Sequence, residues 1–99
     1  MATIHKQKIG TTPSIATGAT RTFTWNNYPE QTAVSYFVVP VPPTASGQHG
    51  TRTGVVEIKR IVVTYKRDNY NGDSRNVKIH IKNVGTAATA ADVWQSWIT

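Results

Sequence analysis

Ninety-nine residues, with 11 Lys and Arg against 5 Asp and Glu, give a net charge of +6 and about one domain's worth of chain over 1–99. The absence of cysteine excludes disulfides, thiolate zinc sites, iron–sulfur clusters and cysteine nucleophiles. No apolar run nears the roughly 18 residues of a spanning helix, and Met1 to Gly10 holds no signal-peptide core. The expectation is a soluble chain with no membrane span, cytoplasmic as synthesised, reaching the cell exterior only by a non-classical route.

Leucine is missing, while 15 Thr, 11 Val and 8 Ile make 34 β-branched positions. Branching at Cβ crowds the preceding helical turn and suits a pleated surface, so the composition predicts an all-β chain. The expected fold is a single antiparallel β-sandwich, Ig-like or jelly-roll-like, of about six or seven strands.

Thr3 to Ile9 alternates loosely and reads as an edge strand, ended by Gly10 to Ser14. Thr20 to Asn26 alternates strictly, pointing Phe23 and Trp25 inward, and Asn26 to Pro29 close it. Ala33 to Val41 is apolar on both faces, as befits a strand covered twice or one crossing an oligomer contact; Pro42 and Pro43 stop it. Thr44 to Gly54 has no hydrophobic pattern, three glycines, His49 and Arg52, and is the longest candidate functional loop.

Val55 to Lys66 starts with Val56 and Ile58 inward and continues with Ile61, Val63 and Tyr65, so the apolar phase slips near Lys59 and Arg60. A bulge or a switch between sheets is implied. For the following hairpin, the register that sets Tyr65 against Val77, Val63 against Ile79 and Ile61 against Ile81 joins three apolar pairs through a Tyr70-Asn71-Gly72 loop. A two-residue Asn71-Gly72 turn would mix the faces. Val84 to Thr86 turns the chain, and a last strand covers Asp92 to Ile98.

Lys78 to Ala87, which includes Asn83-Val84-Gly85-Thr86, followed by Val93 to Ile98, resembles the strand, Asn-x-Gly-Thr turn and strand of bacterial Ig-like adhesion-type modules. The resemblance covers the last quarter of the chain. It implies an Ig-like sandwich, a non-catalytic role in recognition or spacing, and turn-forming duty for Asn83 and Gly85. Modules of that family are commonly parts of long exported chains.

The chemistry-bearing residues are dispersed. His5, His49 and His80 form no ligand pair, and no metal or cofactor is expected. Asp68 to Asp73 has oxygen donors around a glycine but no terminal Glu, and Arg67 and Arg75 flank it, so a hairpin turn explains it better than calcium. Five separated acids offer no paired-carboxylate site, there is no Gly-x-Ser-x-Gly, and Gly47 to Arg52 lacks the ending of a phosphate loop. No enzyme is expected.

Two surfaces stand out. Lys59, Arg60, Lys66, Arg67, Arg75, Lys78 and Lys82 concentrate positive charge on one hairpin, with Arg60 opposite Lys82 and Arg67 opposite Arg75 in that register. This is either a polyanion-binding ribbon or an edge guarded against strand addition. Trp94 and Trp97, three apart in a strand, point to opposite faces, so one indole should lie outside. With Tyr28, Asn27, Tyr70, Asn71, His49 and Arg52 it offers the aromatic and amide groups of a glycan site. The expected role is a non-catalytic binding module, lectin-like toward glycan or anionic ligands and homo-oligomeric. The alternatives are a self-assembling shell, tail or filament subunit and, less favoured, a nucleic-acid binder.

Overall fold

The computed structural model describes residues 2–29, 33–43 and 51–99. Its strands are β1 (Ile4–Thr11), β2 (Thr20–Asn26), β3 (Val34–Pro40), β4 (Val56–Lys66), β5 (Ser74–Asn83) and β6 (Ala91–Ile98). They pair antiparallel into two three-stranded sheets, β1-β6-β3 and β2-β5-β4, that make a small all-β sandwich. Among the described residues there is no helix long and apolar enough to cross a membrane.

β5 and β6 are the central strands, and they supply most of the core: Val77, Ile79 and Ile81 from one, Ala91 and Val93 from the other. Ile9 and Ile15 complete the buried cluster, and Phe23, Trp25, Tyr36 and Val38 pack around it. The radius of gyration is 16.3 Å. A compact chain of this length has about 13 Å. The sandwich is therefore long and thin, and its core is small.

The phase slip in β4 is a bulge. Ile58 pairs with Ile81 and Arg60 with His80, so Lys59 is the extra residue, and Ile58 and Ile61 both keep the core-side face. The whole strand pairs with β5, and no switch between sheets occurs.

The hairpin register differs by two residues from that expected: Val63 lies opposite Val77, Ile61 opposite Ile79, and Tyr65 opposite Arg75. A slide of two leaves every side chain on its original face, so matching apolar faces cannot distinguish the two registers. The connection decides instead. Residues 67–73 form a longer loop built on Asp68, whose Oδ1 accepts the amides of Tyr70 (2.9 Å) and Asn71 (3.1 Å) while its carbonyl accepts the Gly72 amide at 3.0 Å. Gly72 has φ 82°, a conformation that only glycine adopts at no steric cost.

The two ends of the sandwich differ. Where β5 turns into β6, Asn83 is fully buried and donates through Nδ2 to the carbonyls of Ile15 and Ala87, both at 2.8 Å, while its Oδ1 accepts the Gly85 amide. Gly85 passes so close to the Thr53 carbonyl and the Val55 amide that a Cβ would collide with both. Thr12 and Thr89 are buried beside them and seal the core at that end, with a cleft of about 710 Å³ opening alongside between Thr11–Ser14 and Thr20–Phe23. At the hairpin end Ile61, Val63 and Tyr65 take the core-side face, as cross-strand partners of β5, yet remain exposed, Val63 at 56%. The β1-β6-β3 sheet covers them only in part, with an open cleft between β3 and this end of β4.

Candidate functional site

Among the described residues each sheet has two edge strands, and three of the four carry the features that discourage pairing with another chain. β1 has Lys6, Lys8 and a bulge between Lys8 and Gly10; β2 has Arg21; β4 has its bulge at Lys59 with Arg60 and Lys66. β3 reads Val-Ser-Tyr-Phe-Val-Val-Pro and has neither a charge nor a bulge. Its one deterrent is Pro40 at the end.

Both faces of β3 are apolar. Inward, Val34 and Tyr36 meet Ile61 and Val63 across the mouth between the sheets, a cleft of about 440 Å³ that Tyr28, Pro29 and Ser35 complete. The Tyr36 hydroxyl donates to Oε1 of Gln95 at 3.0 Å, and burial, with Tyr28 nearby, pushes its pKa up to about 12. Outward, Phe37 stacks on Trp94 and, like Val39, remains exposed.

Among the described residues, those expected at a glycan site are spread over both ends and both faces. Trp94 is the outward indole, between Lys8 and Phe37 on its sheet. Trp97 takes the core side near the open end, stacked on His5 at 5.2 Å. Tyr28 lines the cleft beneath the Arg75 guanidinium, whose Nε donates to the Tyr28 carbonyl at 2.9 Å. Asn27 has φ 62°, the left-handed conformation that Asn tolerates, and serves the bend after β2. Tyr70 is 97% exposed at the hairpin tip beside Asn71. Arg52 is exposed near the sealed end, and His49 lies outside the described residues.

The basic residues divide as well. Arg60, Lys66, Lys78 and Lys82 take the outer face of the β2-β5-β4 sheet with bulged Lys59 beside them, but the expected opposition of like charges is absent: Lys82 faces Glu57 and Arg60 faces His80. Arg67 pairs with Asp73 at 3.5 Å and lies over the Tyr65 ring, while Arg75 turns to the core-side face at the open end. Neither belongs to that surface.

The Asp68 carboxylate is held below its ordinary pKa by the Tyr70 and Asn71 amides, and the Asp73 carboxylate by the Tyr65 hydroxyl, at 2.6 Å, and then by Arg67. Both carboxylates are thus engaged within the hairpin. Among the described residues no group of three or more His, Asp or Glu side chains is placed to hold a metal ion.

Residues Ile61 and Val63 were legible as apolar but not as exposed, because coverage by the opposite sheet leaves no local trace in sequence. The double-faced character of β3 was legible directly. Comparison with protein-family models, curated proteins and solved structures finds no match for the chain.

Proposed function

We propose that this chain is a non-catalytic structural subunit that associates with copies of itself through β3. The observation that carries the reading is that β3 is an uncharged, unbulged edge strand with apolar side chains on both faces. An edge of this kind is a template for another strand. Antiparallel pairing of β3 with its own copy, centred on Phe37, sets Ser35 against Val39 and Tyr36 against Val38, and joins two three-stranded sheets into one of six. The incoming strand also brings apolar side chains toward Ile61 and Val63, which this chain alone leaves partly exposed. Such a contact is two-fold and self-complementary, the symmetry commonest among homo-oligomers.

The non-catalytic part of the reading is supported by how the described carboxylates are used. Glu57 is bound by Lys59 at 2.9 Å and Asp92 by the Thr11 hydroxyl at 2.6 Å, with Asp68 and Asp73 engaged as above. None is paired with a histidine as a base or nucleophile would be.

Light scattering tests the proposal. The wild-type chain is expected to have a molar mass at least twice that of one copy, and Ser35→Lys with Val39→Lys, at solvent-facing positions, should return it to the single-copy mass with an unchanged β circular-dichroism spectrum. A wild-type protein that stays monomeric into the millimolar range, or an oligomer indifferent to both lysines, overturns it.

A further inference from the structure

The outer face of the β2-β5-β4 sheet combines two parallel rows. Along β5 run Lys78, His80 and Lys82, each i, i+2 step being about 7 Å for an extended strand, and beside them on β2 run Thr24, Thr22 and Thr20. β4 adds Arg60 opposite His80 and Lys66 nearer the hairpin. The carboxylate on this face, Glu57, is taken by Lys59. Arg60, Lys66, Lys78 and Lys82 have no carboxylate partner among the described residues.

His80 sits at the centre and organises its neighbours. Arginine can only donate, so Nη2 of Arg60 donates to His80 Nε2 at 3.4 Å, and the other ring nitrogen, Nδ1, donates to the Thr22 hydroxyl at 3.0 Å. The imidazole thereby braces the guanidinium and uses one of its five N–H groups, leaving the others for an anion. The hydroxyl of Thr22 keeps its own proton to donate.

From these rows we infer that this face binds a linear sulfated polysaccharide. Cations in a line take its sulfate groups, and the adjacent threonine hydroxyls pair with its sugar hydroxyls, a combination that matches a polymer bearing both groups on every repeat. Among the described residues this face has no Phe, Tyr or Trp, and its one aromatic ring, His80, is held between Arg60 and Thr22. Single-stranded nucleic acid relies on a row of aromatic platforms for successive bases, which one engaged imidazole does not supply. The inference is independent of association through β3, which lies in the other sheet.

The test is retention of the purified chain on immobilised heparin, with neutral dextran and duplex DNA as competitors, across a salt series. Heparin should bind, dextran should not compete, and DNA should compete at least roughly tenfold less well than soluble heparin. Lys78→Gln with Lys82→Gln should weaken binding roughly tenfold or more and flatten its logarithmic salt dependence by up to about two, one for each removed contact. Lys6→Gln with Lys8→Gln removes the same net charge from the other sheet and should change retention little. Heparin-induced shifts of backbone amides should fall on β5, β2 and β4. No retention, equal losses in the two double variants, duplex DNA binding as tightly as heparin, or amide shifts confined to other strands would each overturn the inference.

Discussion

Phe37 lies flat against Trp94 on the outer face of the β1-β6-β3 sheet, with ring centroids 6.0 Å apart and planes 7° from parallel. The two residues are direct cross-strand partners, so the stack is fixed by the β3–β6 register and reports on it. A double-mutant cycle with Phe37→Ala and Trp94→Ala should give a coupling of about 0.5–1.5 kcal/mol in thermal unfolding. All four proteins must be compared at one concentration, since association would otherwise enter the stability. A coupling near zero would mean that β3 does not hold this register.

Asn83 is the polar residue on which the sealed end depends most. Asn83→Ala removes one of two hydrogen bonds at each of the Ile15 and Ala87 carbonyls, which keep the Thr89 amide and hydroxyl, and leaves the buried Gly85 amide without its acceptor. Losing three buried hydrogen bonds and stranding that amide should cost about 2–4 kcal/mol and lower Tm by on the order of 10–20 °C. Val84→Ala, at an exposed position of the same turn, serves as the control and should shift Tm by only a few degrees. Differential scanning calorimetry separates the two outcomes.

Tyr36 should make the fold sensitive to alkali. Its pKa rises from the ordinary 10.0 to about 12 in the folded chain, so between those values the folded state keeps a proton that the unfolded state has lost. Stability is then full below pH 10 and falls as pH rises toward 12. Denaturant unfolding across that window should show a steeper loss for the wild type than for Tyr36→Phe. Equal slopes would contradict burial of the hydroxyl against Gln95.

The hairpin responds to acid with the opposite sign. Asp68 and Asp73 are both held below the ordinary 3.8, so the contacts of their charged forms are intact above that value and are lost as pH falls below it through the folded values. Carboxyl-carbon NMR titration should place both midpoints under 3.8. Amide shifts of Tyr70 and Asn71 should follow the Asp68 midpoint, because those amides are the donors. A midpoint at or above 3.8 for Asp68 would rule out the loop geometry.

Much of the sandwich was legible because alternation is a local property. Phe23 and Trp25 point to the core as their spacing requires, and the slip at Lys59 is the bulge itself. The hairpin register was not legible, since an even slide preserves both faces, and what selects it is the side-chain chemistry of Asp68 within the loop. That two-residue difference, together with the bulge, also replaces Arg60 by Glu57 opposite Lys82, so the expected like-charge opposition does not arise. The basic face was therefore legible in composition but not in membership. Arg67 and Arg75 sit on the same hairpin in sequence, yet one is tied to Asp73 and the other to the Tyr28 carbonyl.

Closure at one end and openness at the other set a direction for local unfolding. Amides around Asn83, Ala91 and Ile15 are pinned by side-chain and backbone bonds that only global opening can release. Among the described residues the bonds at the other end, such as Thr3 with Thr99 and Arg75 with the Tyr28 carbonyl, are exposed or half-buried, and amides near Val63 should exchange with deuterium sooner. The chain should therefore fray like a cloth hemmed along one side only, and anything that covered the loose margin would slow its exchange before it changed anything at the hem.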